Sequence, residues 1–306
     1  MANSALETVT TGLKFPEGPV AMPDGSVILT EMFGHQLTRV SPDGTKSKVA
    51  DVVGLPNGLA IGPDGFLYMC NNGGAFTPMQ LGDLLYPGEF DPATYIGGRI
   101  QKVNIDTGEV TDLYTHCGDI ALRAPNDIVF DAHGGFWFTD HGIRHHRVAD
   151  RTGIYYAKAD GSFIEEVVFP VDSPNGIGLS PSGDRVYWAE THTGRVYQRE
   201  ITAPGKVAPI SPEVPTMLCG LAGYQLFDSL AVDGDGNICV ATLINGGITV
   251  ISPAGEVIDF IATDDRITTN ICFGGEDFRT AYITVSSTGQ LLKMRWPYKG
   301  LRLNCQ

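Results

Sequence analysis

The chain has 306 residues, of which 42% are hydrophobic and 18% are charged, and this composition is typical of a globular protein with one large or two ordinary domains. Its formal net charge of -14 argues against a nucleic-acid partner or an anionic membrane surface, because both attract basic patches. No apolar run reaches the length of a transmembrane helix, so we expect no membrane partner.

The first residues, MANSALETVTTG, lack the basic and apolar regions of a secretory signal, and the predicted compartment is therefore the cytoplasm. The six cysteines show none of the short spacings of zinc or redox motifs. Three of them, Cys70, Cys239 and Cys272, fall within apolar runs. We predict that all six are free thiols.

One pattern recurs along the whole chain. A polar residue, here called a head, precedes a short apolar strand, a turn rich in Pro, Asp and Gly, and a second strand that ends about 14 residues after the head. The heads are Glu17, Asn57, Asn126, Asn175, Asp228 and, in a degenerate copy, Asn270. Asp-Gly turns between apolar runs predict β-hairpins, and no segment shows helical periodicity with caps.

The spacing of the heads predicts the architecture. Successive heads are 40, 69, 49, 53 and 42 residues apart. Repeats of about 40 to 50 residues with four strands each are typical of a β-propeller. We predict an all-β protein, a six-bladed β-propeller in a single domain over residues 1–306. The early segment ALETVTTGL should supply the outer strand of the last blade and close the ring.

The longest spacing marks an insertion at about residues 73–98. The inserted segment is rich in Phe, Leu and Tyr, and it begins where the second strand of blade two returns to the face of the heads. Loops this long in a compact domain are usually functional or disordered, and the aromatic content disfavours disorder. We predict a lid or pocket wall.

The heads themselves predict a metal site. The first strand of each propeller blade lines the central channel, so the six heads should form a ring at its mouth. Two carboxylates and four carboxamides supply only oxygen, and converging carboxylates repel each other unless a cation balances them. Oxygen ligands suit calcium, magnesium or manganese, whereas the lack of His and Cys argues against zinc or copper. One divalent cation in the channel would explain a buried Glu17, although each head alone could simply form a turn.

Five motifs carry a family resemblance: FPEGPV, PND, PNG, the aspartate before LAVD, and a late FGG. Over nearly the whole chain they resemble the senescence marker protein/gluconolactonase (regucalcin-like) family, which is related to squid-type diisopropyl fluorophosphatase. The resemblance implies a six-bladed propeller lactonase with one divalent cation, calcium first and magnesium, manganese, iron or zinc as alternatives. By motif, the metal ligands are Glu17, Asn175 and Asp228, with Asn126 as a fourth ligand or a substrate contact.

The sequence departs from the family pattern at two positions. Ser229 stands where glycine is usual, and Arg123 in RAPND lies one residue further from the asparagine than the usual arginine, which weakens its role as a substrate contact. Asn57 and Asn270 match no assigned ligand, and we interpret them as neighbours of the ligands or as turn residues.

Further substrate contacts are expected where the second strands return to the site face. The candidates are Glu31, Asn71, Asn72, Asp140, His141, Glu190 and His192. From these we select Asn72, His141 and His192 as substrate-binding residues, together with Arg123 and Asn126.

The implied reaction is the opening of a lactone ring. Asp228 is the predicted catalytic residue, as general base toward water or as nucleophile. We expect a small, polar, sugar-derived lactone, although the apolar insertion could instead favour an apolar tail. A phosphotriesterase-like hydrolase is one alternative, disfavoured because Ser286 stands where the squid-type enzyme has a histidine. A non-catalytic ligand-binding propeller with a structural metal is another. The expected state is a monomer or weak homo-oligomer.

Overall fold

The computed structural model describes residues 5–212 and 216–306. The first strand, β1 (Glu7–Thr10), precedes six sheets that follow one another along the chain. Blade 1 contains β2 (Pro16–Ala21), β3 (Val27–Glu31), β4 (Gln36–Val40) and β5 (Lys46–Asp51), with the short 3-10 helix Met32–Gly34 between β3 and β4. Blade 2 contains β6 (Pro56–Ile61) and β7 (Leu67–Asn71), then the inserted hairpin β8 (Pro78–Leu81) and β9 (Leu84–Pro87), then β10 (Arg99–Val103) and β11 (Val110–Tyr114).

The remaining strands form blades 3 to 6. A small hairpin, β12 (His116–Cys117) and β13 (Ile120–Ala121), leads to blade 3, which contains β14 (Pro125–Phe130), β15 (Gly135–Asp140), the hairpin β16 (Arg144–His145) and β17 (Val148–Ala149), β18 (Thr152–Lys158) and β19 (Ile164–Val171). Blade 4 contains β20 (Pro174–Leu179), β21 (Arg185–Glu190), β22 (Arg195–Ala203), β23 (Lys206–Val207) and β24 (Met217–Gly220). Blade 5 contains β25 (Leu226–Val232), β26 (Ile238–Leu243), β27 (Gly247–Ile251) and β28 (Val257–Ala262). Blade 6 contains β29 (Thr268–Gly274), β30 (Thr280–Val285) and β31 (Gln290–Arg295).

The ring is closed by the N-terminal strand. Strand β1 pairs antiparallel with β31, with Glu7 opposite Lys293, and it becomes the fourth strand of blade 6. Each innermost strand packs against that of the next blade, and β29 packs against β2. The six-bladed propeller predicted from the repeat is therefore confirmed, together with the role of the N-terminal segment.

The core consists of six apolar layers, one between each pair of adjacent blades. Because both faces of a blade are covered, strands such as β15 are buried at every position and show no polar–apolar alternation. Trp137, fully buried between blades 3 and 4, packs edge-on against Tyr156 with 5.1 Å between ring centroids. All six cysteines are free, as the sequence predicts.

The insertion lies over the face from which the heads begin. Its hairpin reaches blade 6, where the Leu85 amide donates to the Ser287 carbonyl at 2.9 Å. Phe76 approaches blade 3 and meets the His141 ring edge-on at 6.1 Å. The segment thus extends over parts of blades 6, 1, 2 and 3, while its role as a lid stays a prediction.

The C-terminal segment lies across the opposite end of the channel. Asn304 donates to the Phe130 carbonyl at 3.0 Å, and Gln306 donates to the carbonyls of Ala21 and Phe273 at 3.2 and 3.3 Å. These three carbonyls belong to the innermost strands of blades 3, 1 and 6. Between this tail and the heads the channel holds a mostly apolar cavity of about 70 Å³. Among the described residues, no helix has the length and apolar character that a membrane crossing needs.

Candidate metal centre

The heads lie at β-bulges. In blade 3, Pro125 pairs with Asp140 and Ile128 with Phe138, so Asn126 and Asp127 together face the single residue Thr139. The same count of two residues against one occurs at Asn57 in blade 2, at Asn175 in blade 4 and at Asp228 in blade 5. A bulge bends its strand and redirects the side chain, and it is a common device beside active sites. Four heads are therefore turned out of the regular ladder in the same way.

The bulges in blades 1 and 6 are placed differently. Glu17 keeps its regular partner Thr30, and the two residues after it, Gly18 and Pro19, face Leu29 alone. In blade 6 the extra residue is Thr269, and Asn270 pairs normally with Thr284. All six heads are nonetheless buried, with no more than 9% of any of them exposed.

Close packing between blades explains the glycines that follow three of the heads. A Cβ added to Gly58 would lie 2.6 Å from the Asn126 carbonyl oxygen, and one added to Gly176 would lie 2.7 Å from the Ser229 carbonyl carbon. A Cβ on Gly18 would meet the Leu59 nitrogen at 2.9 Å. These contacts are shorter than real side chains tolerate, so the EG and NG pairs of the motif allow neighbouring heads to approach.

Hydroxyl groups tie neighbouring inner strands together at this level. Thr30 donates to the Asn57 carbonyl at 2.9 Å, and Thr139 donates to the Asn175 carbonyl at 2.6 Å. Ser286 donates to the Pro16 carbonyl at 2.6 Å, across the junction of blades 6 and 1. Ser286 thus has a structural hydrogen bond of its own.

Three carboxylates, not two, converge in the channel. Burial raises the pKa of Glu17 well above its usual range, and the charges of Asp228 and Asp127 add to this effect. Burial likewise raises the pKa of Asp228 and of Asp127 to about 7 in each case. Among the described residues, no ion pair with Lys, Arg or His neutralises any of the three. Burial and mutual repulsion thus disfavour the ionised forms of the three carboxyls, and a bound cation would favour those forms.

Sequence reasoning missed Asp127, although it stands in the PND motif. Asp127 accepts hydrogen bonds from the Ile128 amide at 2.9 Å and from the Ile177 amide of blade 4 at 3.2 Å. The Ser229 hydroxyl also lowers its pKa through a hydrogen bond, so this departure from glycine links blade 5 to the same carboxylate. The sequence did contain a sign of this role: the residue that follows a head is small or apolar in the other five repeats, and only Asp127 is charged.

The donor atoms of the ring fit a hard divalent cation. Among the six heads, three buried side-chain oxygens have no hydrogen-bond partner: Glu17 Oε2, Asn57 Oδ1 and Asn126 Oδ1. An unsatisfied buried polar group costs about 1–3 kcal/mol, and a bound cation would satisfy all three of these oxygens. No group of three or more His, Cys, Asp and Glu that could hold a metal occurs in residues 5–212 and 216–306. The ring instead combines carboxylates with amide oxygens, as calcium sites do.

The side chain of Asn175 is held by contacts on both its nitrogen and its oxygen. Its Nδ2 donates to Thr191 Oγ1 at 3.1 Å, which leaves Oδ1 directed elsewhere. The Ser229 hydroxyl lies 3.4 Å from that Oδ1, and the Asn175 side chain also hydrogen-bonds Asp228, opposing the rise in the pKa of Asp228. Asn175 therefore connects two neighbouring heads.

The predicted substrate contacts fall into two groups. The rings of Phe76, His141 and His192 form a row across blades 2, 3 and 4, with 6.0 Å between the two imidazole centroids. Burial lowers the pKa of His141 to about 4, with a contribution from His192, and burial also lowers the pKa of His192. Both imidazoles are thus neutral at pH 7, and the structure brings them together as the sequence suggested.

Asn72 and Arg123 have partners within the protein. Asn72 Oδ1 accepts from the amides of Gly74 and Ala75, both at 3.1 Å, at the start of the insertion. The Arg123 guanidinium binds Asp150 at 2.7 Å and lies over the Tyr95 ring at 5.5 Å. A substrate contact by either residue stays a prediction.

The strand-end residues of blades 1 to 4 hold the segments that carry the heads. Glu31 accepts from the Lys14 amide at 2.6 Å, Asn71 from the Leu55 amide at 3.0 Å, and Asp140 from the amides of Arg123 and Ala124 at 2.7 Å. Glu190 likewise accepts a hydrogen bond from the backbone of Asp172, in the loop before β20. These side chains are engaged with the backbone two or three residues before a head and so help to position the heads, while a substrate contact by any of them stays a prediction.

Comparison with known proteins identifies a family whose pattern covers most of this chain. Residues 15–287 match the SMP-30/Gluconolactonase/LRE-like region family. A lactonase named drp35 from Staphylococcus epidermidis is 28% identical over 281 residues, covering 87% of this chain and 77% of its own. The drp35 lactonase of Staphylococcus aureus strain USA300 is 27% identical over 280 residues, with 87% and 78% covered.

Solved structures show the same fold. A gluconolactonase from Xanthomonas campestris superposes with a TM-score of 0.75 at 19% identity, covering 95% of this chain and 90% of that one. A regucalcin from Agrobacterium tumefaciens, described as a calcium-binding protein, superposes with a TM-score of 0.74 at 18% identity, with 98% of each chain covered.

Proposed function

Since the chain belongs to the SMP-30/gluconolactonase/LRE-like family, we propose that it is a metal-dependent hydrolase that opens lactone rings. The observation that carries the proposal is the ring of buried oxygens without partners in the central channel. The naming of its staphylococcal relatives as lactonases supports the reaction class.

The residues that would hold the cation are Glu17, Asn126, Asn175 and Asp228. Calcium suits them best, because Ca²⁺ accepts mixed carboxylate and amide oxygens in flexible geometry. When bound, a divalent cation supplies a Lewis acid for the ester carbonyl and lowers the pKa of water.

Asp228 is the residue we assign to proton transfer or nucleophilic attack. Its side chain lies at a bulge beside Asn175, and the Asn175 amide fixes its orientation. As a general base, the carboxylate would take a proton from the attacking water and return it to the ring oxygen as the acyl C–O bond breaks. As a nucleophile, it would displace the ring oxygen, which takes up a proton from solvent, and the acyl intermediate would then be hydrolysed by water. Transfer of ¹⁸O from H₂¹⁸O into the Asp228 side chain under single turnover would identify the nucleophilic route.

The side chains around the channel mouth support a small lactone as the substrate. Neutral imidazoles at His141 and His192 offer hydrogen bonds to ring and hydroxyl oxygens on one side. On another side, Phe76 and Leu85 of the insertion pack with Met32 and supply apolar surface. The polar side supports a sugar-derived lactone, and the insertion at 73–98 would form the wall that discriminates among substituents.

The test is a panel of aldonolactones, alkyl lactones and a fluorophosphonate triester, measured with the calcium-loaded and the chelated protein. We expect about one equivalent of cation per chain, hydrolysis of at least one lactone class, and loss of that activity on chelation. A higher kcat/KM for the phosphorus ester than for every lactone would favour the phosphotriesterase alternative. Metal binding without any hydrolysis would favour a ligand-binding propeller.

A further inference from the structure

Asn57 and Asn270 are the two heads without a role in the proposed reaction. They differ in their strand pairing and in the hydrogen bonds of their side chains. Asn57 and Gly58 together face the single residue Cys70, which is the bulge found at Asn126, Asn175 and Asp228. Asn270 instead pairs regularly with Thr284. By backbone geometry, Asn57 belongs with the residues assigned to the cation, and Asn270 does not.

The side-chain oxygens differ in the same sense. Asn270 Oδ1 accepts a hydrogen bond from the next amide, Ile271, at 2.8 Å. Asn57 Oδ1 is buried and has no partner, and it shares this condition with Glu17 Oε2 and Asn126 Oδ1. Amides usually satisfy themselves in loops and turns, so an amide oxygen left unpaired at 4% exposure calls for a ligand.

Asn57 also lies between two of the assigned ligands. Its carbonyl oxygen and the Leu59 amide enclose the α-carbon of Gly18, next to Glu17. On the other side, Gly58 packs against the backbone of Asn126, where an added Cβ would be 2.6 Å from the carbonyl oxygen. The Thr30 hydroxyl holds the Asn57 carbonyl at 2.9 Å, so this backbone is tied on both sides.

We propose that Asn57 Oδ1 is a fifth protein oxygen ligand of the channel cation. This inference rests on the proposed function only in that the ring holds a cation; it does not depend on the reaction. A fifth protein oxygen favours an ion that takes 6–8 ligands over one that keeps several waters, so it selects calcium over magnesium. Asn270 is excluded from the coordination sphere, because its Oδ1 accepts from the Ile271 amide within strand β29.

The experiment counts the water molecules on the ion. Eu³⁺ replaces calcium in oxygen sites, and its luminescence lifetimes in H₂O and D₂O give the number of bound waters. In N57L, a change that keeps the size but removes the oxygen, we expect one additional water and a calcium affinity about tenfold lower, the lower end of what altered metal sites show. In the matched variant N270L, we expect the wild-type water count and affinity within twofold, with a lower Tm because Ile271 loses its acceptor.

Two further measurements keep the inference testable. N57D retains an oxygen and adds charge, so it should keep the wild-type water count and bind calcium more tightly. Weaker calcium binding by N57D would contradict the proposal. If N57L does not fold, the result for N57D decides whether Asn57 is a ligand. An unchanged water count in a folded N57L overturns the assignment of Asn57 alone. A wild-type protein that binds neither calcium nor Eu³⁺ overturns both this assignment and the metal-dependent function.

Discussion

The substitution Gly58→Ala tests whether the heads depend on the close approach of blades 2 and 3. The new Cβ would lie 2.6 Å from the Asn126 carbonyl oxygen and 2.8 Å from the Asp127 α-carbon. Both contacts are with backbone, which cannot rotate away as a flexible side chain does. Since unstrained contacts lie near 3.5 Å or beyond, the two inner strands must separate by roughly 1 Å.

The expected cost of this separation is about 1–3 kcal/mol, the usual range for overpacking in a well-packed interior. For a chain of this size, that corresponds to a fall in Tm of up to about 2–4 °C per kcal/mol. A displacement of about 1 Å beside catalytic groups can reduce turnover about 100-fold. We therefore expect turnover to fall further than the loss of stability alone would cause.

The assay compares Gly58→Ala with Gly65→Ala by thermal denaturation, calcium titration and lactone hydrolysis. Gly65 has φ of +79° and nothing within 4 Å of an added Cβ, so alanine there should cost about 1–2 kcal/mol of backbone strain without reaching the ring. We expect both variants to lose stability but only Gly58→Ala to lose calcium affinity and turnover. Wild-type stability and affinity in Gly58→Ala would refute the packing argument.

Three further outcomes follow from the site. Asp228→Asn should lower turnover at least about 100-fold, as lost acid–base catalysis does, and full turnover with bound metal would contradict its role. Replacement of residues 73–98 by a short Gly-containing turn should leave a folded propeller, because loop closure depends weakly on length, and an unchanged ranking of lactones would count against a lid. His141 has a folded-state pKa of about 4, below its ordinary 6.5, so its neutral form stabilises the fold and this contribution is lost as the pH falls from 6.5 toward 4. His141→Asn should therefore lose about 2 kcal/mol less stability than wild type between pH 7.5 and 5 in urea denaturation, and equal losses would contradict the shift.

Much of the architecture was accessible from the sequence because a propeller repeats one local plan. Each head, turn and second strand lies within one blade, so local signals sufficed to place hairpins such as the one from Pro16 to Glu31. The closure by β1 followed from the count of strands, since the last blade otherwise lacks its outer strand. Alternation of polar and apolar residues would have been a poor guide to the strands, because both faces of each blade are buried.

The details of the site depend on contacts between blades, which no single repeat encodes. Asn57 and Asn270 look equivalent in sequence, yet one lies at a bulge with an unpaired oxygen and the other is paired. Asp127 converges with Glu17 and Asp228 only because neighbouring blades meet at the channel. Asp140 was one of the candidates for the substrate shell, and only the structure shows that its carboxylate binds two amides of the preceding loop.

The tail across the lower end of the channel has a consequence for exchange. Asn304 and Gln306 bind the inner strands of three blades there, below the cavity of about 70 Å³. A molecule that reaches the heads would therefore enter from the side of the insertion, and on the proposed function the hydroxy acid product and a chelator would use the same opening. A slowly hydrolysed lactone bound at the heads should then delay removal of the ion by a chelator. Substrate and chelator would compete because both need the same opening, even though they do not bind the same side chain.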